Sequence, residues 1–95
     1  MTKVSDVISA AERLWPSEAA EEWDKPGLVC GSSNATVSSV LLSVDVTQEL
    51  VDEAIAQGFD LVISHHPYLL RGVNSVAEDT GKGSVLAAAI RANLS

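Results

Sequence analysis

Near the start of the chain, apolar residues recur at helical spacing. Charged residues lie on the other side of this stretch, and the pattern predicts an amphipathic helix that begins near Thr2 or Ser5. Pro16 is expected to stop the helix, because proline has no N–H to continue the backbone hydrogen bonds. The apolar positions of this helix are Val4, Val7, Ile8, Ala11 and Leu14.

The middle and the end of the chain carry two more helical patterns. Thr47 is a predicted N-cap, because apolar residues after it recur at helical spacing and acidic residues occupy the first turn. Gly58 is expected to end this second helix. A third helix is predicted over residues 85–92 with Ser84 as its cap, and the Gly-Lys-Gly sequence at 81–83 predicts a turn before it.

Continuous apolar runs predict strands between these helices. Residues 40–46 are mostly apolar, as expected for a strand covered on both faces, and residues 60–64 form the next predicted strand. A short strand is also predicted at residues 28–30, after a Lys-Pro-Gly turn. Strand, helix and strand in succession form a right-handed crossover between parallel strands. The pattern therefore predicts an α/β fold, with a mixed or parallel sheet and flanking helices.

Composition limits the chain to one small domain. The 95 residues are 46% hydrophobic but only 4% aromatic, so aliphatic side chains must fill the core. The single cysteine, Cys30, cannot form an intramolecular disulfide and is expected to be a small core residue. Length and composition therefore predict a single domain over residues 1–95.

Charge and hydropathy restrict the possible partners. The formal charge is −7, from 13 acidic and 6 basic residues. This excess argues against binding to a nucleic-acid backbone, and it is compatible with a site that attracts cations. No apolar run approaches the length needed to cross a bilayer, and no basic start precedes a long apolar segment. We therefore expect a cytoplasmic protein with neither nucleic acid nor a membrane as its partner.

The strand predicted at residues 60–64 ends in two adjacent histidines, His65 and His66, followed by Pro67. Successive side chains of a strand point to opposite faces, which disfavours chelation of a single ion by both imidazoles. The pair is more consistent with one ligand plus one supporting residue, or with two ions roughly 3.5–4 Å apart that each take one imidazole. The alternative is that both histidines are ordinary hydrogen-bonded residues.

Asp45 lies at the end of the preceding predicted strand. Because ligands of open α/β sheets bind beyond the carboxyl ends of the strands, Asp45 is expected at the same edge as the histidines. It is a candidate to orient a ligating imidazole or to act as a weak third ligand, and the alternative is a helix-start residue held by backbone amides. These three residues cannot supply four ligands, so further ligands come from another chain or from a longer protein.

The chain contains three motifs in succession: Trp23-Asp24-Lys25-Pro26-Gly27-Leu28, Ser43-Val44-Asp45-Val46-Thr47 and Leu61-Val62-Ile63-Ser64-His65-His66-Pro67. In order and spacing they resemble the opening motifs of the GTP cyclohydrolase 1 type 2 family, also called the NGG-one-interacting-factor-three-like family. The resemblance covers nearly all of the chain, and the His-His-Pro strand end is its most specific part. The family typically has asparagine where this sequence has Lys25.

The resemblance implies that His65 and His66 each contribute to a dinuclear divalent-metal site. It implies two ions per complete subunit, with zinc, iron or manganese as candidates, and it implies ring-shaped homohexamers. The remaining ligands of the family, an aspartate, a histidine and a glutamate, lie outside this chain. Residues 1–95 are therefore expected to be the N-terminal part of a single α/β metal-binding domain, that is, a fragment of a larger α/β domain.

Two functions follow as hypotheses. The first is a metal-dependent hydrolase of a small substrate, with a nucleotide-like molecule as the candidate class. The second is a non-catalytic metal-binding or partner-interaction protein, in which the ions stabilise the fold or the assembly. A phosphoesterase with an Asp-His-His strand end is a weaker reading, because Ser64 stands where that aspartate would be. No catalytic residue can be named from the sequence.

Overall fold

The computed structural model describes all 95 residues and has an α/β architecture. Three α-helices flank a small parallel sheet, which confirms the predicted fold class. None of the three is both long and apolar enough to cross a membrane. The elements are α1 (Val4–Leu14), a 3-10 helix (Ser17–Ala19), β1 (Val40–Ser43), α2 (Gln48–Ala56), β2 (Leu61–Ser64) and α3 (Gly81–Arg91).

The sheet consists of β1 and β2, which pair in parallel. Val40 lies opposite Leu61 at one end, and Ser43 lies opposite Ser64 at the other. The connection between them runs through α2, so the predicted strand, helix and strand unit is confirmed. Because the strands are parallel, their carboxyl ends meet at one edge of the sheet. The predicted site residues follow those two ends.

Local sequence accounts for the bounds of α1 and α2. The carboxylate of Asp6 accepts a hydrogen bond from the Lys3 backbone N–H (2.8 Å), and α1 ends before Pro16 as predicted. At the start of α2, the Thr47 hydroxyl accepts from the Leu50 N–H (3.1 Å), which confirms Thr47 as the N-cap. Gly58 follows α2 with a φ of 75°, a backbone conformation that favours glycine.

Apolar side chains pack on both faces of the sheet. Val62 packs against the cluster formed with α2 and α3, whereas its neighbour Ile63 packs against the cluster formed with α1. The prediction that the first strand is covered on both faces is wrong, because the Leu42 side chain is 72% exposed. The buried residues of the larger cluster are Val51, Ala54, Val85, Ala89 and Leu94, and those of the smaller are Val4, Val37 and Leu61.

Two other predicted elements are also corrected. Residues 28–30 are not a strand, because no neighbouring segment forms a backbone ladder with them. The last helix begins at Gly81 rather than Val85, and the Thr80 hydroxyl, rather than Ser84, caps it by accepting from the Gly83 N–H (3.0 Å). Gly83 lies so close to the Ala77 carbonyl that a Cβ would be 1.8 Å from its oxygen. Close packing therefore overrides the turn preference of Gly-Lys-Gly.

Asp60 holds the amino edge of the sheet together. Its carboxylate accepts hydrogen bonds from the backbone N–H groups of Ser38 (2.8 Å) and Ser39 (3.2 Å), just before β1. Its own backbone carbonyl accepts from the N–H of Ser95 (3.1 Å). One aspartate thus aligns the starts of both strands with the segment around Ser95.

Candidate metal-binding site

The backbone of the two histidines is bound to the carboxyl end of β1. The His65 N–H donates to the Ser43 carbonyl (3.0 Å), and the His66 N–H donates to the Val44 carbonyl (2.9 Å). Successive N–H groups of a regular strand point in opposite directions, so two bonds in the same direction show that the strand alternation has ended. β2 itself ends at Ser64.

The two imidazole rings consequently lie next to each other, and we call His65 and His66 the imidazole pair. Their ring centroids are 5.0 Å apart, and the ring planes are tilted by 45°. The expectation of side chains on opposite faces is therefore wrong, because both residues lie in a bend beyond the strand. Side chains this close can share one metal site or hold two neighbouring ions.

Asp45 contacts His66 directly at this edge. Nδ1 of His66 lies 2.5 Å from Oδ1 of Asp45. An ionised carboxylate only accepts hydrogen bonds, so this contact requires a proton on Nδ1, and in the neutral imidazole Nε2 is then the nitrogen with the free lone pair. The alternative role as a helix-start residue is not observed, since Thr47 caps α2 and the only hydrogen-bond partner of the Asp45 carboxylate is His66.

A hydroxyl group fixes the chain just before the imidazole pair turns. Oγ of Ser64 donates to the carbonyl oxygen of His66 (2.9 Å). Sequence reasoning considered Ser64 only as a departure from an Asp-His-His strand end. Ser64 is the last residue of a strand and stands three positions before Pro67. A serine in this position is a weak signal that its side chain stabilises a following turn.

The donor atoms present suit a divalent metal but do not complete a site. No group of three or more His, Cys, Asp or Glu side chains is close enough to hold an ion. Imidazole nitrogens and carboxylate oxygens are donors for zinc, iron and manganese. With Nδ1 bound to Asp45, His66 offers Nε2, as ligating histidines commonly do. The residues therefore fit part of a metal site, and the metal role of the imidazole pair stays a prediction.

An open, mainly apolar cleft of about 1100 Å³ lies beside the imidazole pair. His65 and Tyr68 border it from one side and Trp15 borders it from the end of α1, whereas His66 and Asp45 are not part of its lining. His65, unlike His66, therefore borders this cleft.

The chain after the imidazole pair is anchored to α3. Nζ of Lys82 donates to the Tyr68 carbonyl and lies 4.1 Å from the centroid of the Tyr68 ring. Burial raises the pKa of the Tyr68 phenol. No sequence pattern indicated Lys82, because this contact depends on how a long loop folds back onto the helix.

Cys30 lies apart from the imidazole pair, in the partly buried shell of the larger core cluster. Its Sγ is 3.6 Å from the Leu94 carbonyl oxygen, and burial raises the pKa of the thiol. A raised pKa reduces the thiolate fraction that reacts as a nucleophile or metal ligand. The structure thus agrees with the prediction of a small core residue.

A family model described as Duf34/NIF3 (NGG1p interacting factor 3) matches residues 2–95. The chain belongs to the Duf34/NIF3 family. Similar relatives include the "GTP cyclohydrolase 1 type 2 homolog" of Streptomyces coelicolor, which is 50% identical over 86 residues, or 90% of this chain and 30% of the relative. The protein of the same name in Mycobacterium bovis is 42% identical over 94% of this chain and 23% of the relative. The chain spans less than a third of these relatives.

Solved structures agree with the Duf34/NIF3 assignment. The crystal structure of Staphylococcus aureus protein SA1388 has a TM-score of 0.92 at 34% identity, covering 98% of this chain and 26% of that one. A Bacillus cereus protein related to NIF3 gives 0.91 at 34% identity, with the same coverage. Reduced HcgD from Methanocaldococcus jannaschii, with a TM-score of 0.89 at 21% identity over 98% of this chain and 38% of that one, shares the fold. The resemblance noted from the three motifs is confirmed.

Proposed function

We propose that the intact protein carrying these residues is a divalent-metal-dependent hydrolase, in which His65 and His66 are ligands of a dinuclear site and Asp45 orients His66. The observation that supports this proposal is the arrangement of the imidazole pair, with ring centroids 5.0 Å apart and Asp45 bound to Nδ1 of His66 at 2.5 Å. The relatives' name, GTP cyclohydrolase 1 type 2 homolog, suggests a small, nucleotide-like substrate.

Each residue of the site has a separate role in this proposal. His65 would bind an ion at the edge of the open cleft, and His66 would bind through Nε2. Asp45 keeps the proton of His66 on Nδ1, so that Nε2 is available as a ligand atom. Divalent ions, when bound, supply Lewis acidity that polarises an electrophilic centre and lowers the pKa of water. The cleft beside His65 would receive the substrate.

The chemistry requires ligands beyond those in residues 1–95. Two imidazoles and one carboxylate leave any divalent ion short of the four or more ligands that such ions take. Because relatives extend well past the matched segment, the missing ligands are proposed to come from the rest of the intact protein. The hydrolase proposal accordingly applies to the intact protein.

The test is metal content and turnover in the intact protein. We expect two divalent ions per subunit by plasma mass spectrometry, and we expect His65→Ala and His66→Ala each to lose at least one ion and the hydrolysis of a nucleotide panel. Asp79→Ala is the control, because Asp79 is exposed and has no hydrogen-bond partner. Unchanged metal content in both histidine variants would refute the proposal.

A second candidate is a metal-stabilised interaction protein without turnover. It is supported by a family description that refers to an interacting factor. This candidate predicts that chelation lowers the melting temperature or dissociates the expected homohexamer, while no substrate is hydrolysed. Turnover that depends on added metal and disappears in His65→Ala would exclude it in favour of the hydrolase.

A further inference from the structure

We infer that Ser64 is a positioning residue: its hydroxyl sets the backbone turn that brings the two imidazoles side by side. The expected loss of metal affinity rests on the proposed function. The expected separation of the rings rests on the geometry alone. The Ser64 hydroxyl makes no hydrogen bond to either ring. Ser64 acts through the backbone of His66, whose carbonyl oxygen accepts its hydroxyl proton at 2.9 Å.

The turn is needed because β2 would otherwise separate the rings. A strand that continued past Ser64 would direct the side chains at 65 and 66 to opposite faces. Instead, the N–H groups of His65 and His66 both donate toward the end of β1, to Ser43 and Val44. The ring centroids are then only 5.0 Å apart. Two neighbouring ligands on one side of the sheet edge therefore require that alternation stops after Ser64.

Backbone contacts alone fix only half of this turn. The N–H bonds of the two histidines hold the amide side of each residue, and they are independent of side-chain identity. The carbonyl of His66 is held by the Ser64 hydroxyl. The next residue, Pro67, has no N–H that could contribute a further bond. Ser64 thus supplies the one side-chain contact that sets the backbone of the turn, while Asp45 acts on the His66 ring.

The structure also contains a matched serine. Ser43 lies opposite Ser64 in the register of the sheet, at the same end and on the same face. Its hydroxyl is buried and has no hydrogen-bond partner. Replacing Ser43 with alanine keeps its backbone carbonyl, which accepts from His65, and removes only a hydroxyl that makes no bond. Ser43→Ala is therefore the control for any general effect of losing a serine at this edge.

The experiment compares Ser64→Ala, Ser64→Thr and Ser43→Ala in the intact protein. Zn²⁺ affinity is measured by isothermal titration, and the ring-centroid separation is measured in crystal structures of the metal-free variants. We expect Ser64→Ala to weaken Zn²⁺ binding about tenfold, in the range found for residues that support metal ligands. The rings should move apart in this variant. Ser64→Thr retains a hydroxyl and should restore both properties, and Ser43→Ala should match the parent protein.

The possible outcomes separate this inference from the proposed function. If Ser64→Ala keeps the ring separation and binds Zn²⁺ as Ser43→Ala does, the positioning role is wrong. If the parent protein binds none of Zn²⁺, Fe²⁺ and Mn²⁺, the proposed function fails, and the crystal structures of the metal-free variants still decide the role of Ser64. A melting temperature equal to that of Ser43→Ala, together with weaker Zn²⁺ binding, would show that Ser64 acts on the site rather than on overall stability.

Discussion

The two edges of the sheet use aspartate in different ways. At the amino edge, the Asp60 carboxylate accepts from two backbone N–H groups, those of Ser38 and Ser39. At the carboxyl edge, the Asp45 carboxylate bonds to a side chain, Nδ1 of His66, and remains 65% exposed. Asp60 therefore holds the backbone where the strands begin, whereas Asp45 contacts an imidazole ring. The hydrogen-bond partners, rather than the residue type, distinguish a carboxylate that holds the backbone from one that contacts a candidate metal ligand.

The largest expected effect is a loss of metal affinity when Asp45 is replaced. In Asp45→Asn, the side-chain amide can present N–H to Nδ1 of His66, which favours the tautomer with its proton on Nε2. Metal affinity of the intact protein should fall about 10–100-fold, with little change in the free energy of unfolding. Titration calorimetry measures the first and urea unfolding the second. Asp79→Asn is the matched control. Equal metal affinity in both variants would show that Asp45 does not support metal binding by His66.

The next largest effect is expected at the opposite edge. Asp60→Ala leaves the N–H groups of Ser38 and Ser39 without their acceptor and should lower the free energy of unfolding by about 1–2 kcal/mol. Asp60→Asn keeps one carbonyl oxygen and should lose less. Urea unfolding checks both values. If Asp60→Ala is as stable as Asp79→Ala, then the amino edge is not held by this carboxylate.

Thr47 caps α2, a role that Asp45 does not have, so the two residues can be compared directly. Thr47→Ala removes the acceptor of the Leu50 N–H and should destabilise the fold by about 1 kcal/mol, while Thr47→Ser should retain most of the stability. Thermal unfolding followed by circular dichroism measures the difference. A larger loss in Asp45→Ala than in Thr47→Ala would mean that Asp45 supports the helix after all.

The smallest effect is expected for an acidic residue away from both edges. Arg91 lowers the pKa of Glu78 through a side-chain hydrogen bond and through its charge. Because the pKa is lower in the folded state, the stabilisation exists above the ordinary carboxyl range and disappears as pH falls through the folded pKa. Glu78→Gln should therefore melt slightly below the parent at neutral pH and match it in strong acid. Salt should reduce the difference, since the pair is exposed.

Features determined by neighbouring residues were predictable from the sequence. Thr47 followed by helical spacing located the start of α2, and Pro16 located the end of α1. The order strand, helix, strand predicted that the two strands pair in parallel. Parallel pairing in turn predicted that Asp45 and His66 lie at the same edge of the sheet, as the structure shows. Each of these depends on hydrogen bonds within a turn or on the handedness of a short connection.

Features determined by distant contacts were not predictable. Glycine disfavours a helix, so Gly83 argued against the observed start of α3, yet that position needs glycine because the Ala77 carbonyl is so close. The alternation rule failed at His65 and His66 because it holds only while the strand continues. Ser64 shows why: a hydroxyl bonding two residues ahead leaves no periodic pattern in the sequence.

Lys82 has a mechanical consequence for the imidazole pair. Its ammonium group donates a hydrogen bond to the Tyr68 carbonyl and lies over the Tyr68 ring, and Tyr68 directly follows Pro67. The segment that carries the rings is thus held at its start by backbone hydrogen bonds to the end of β1 and at its end by Lys82 of α3. A variant that loosens α3 is therefore expected to release the segment after the rings at its Tyr68 end.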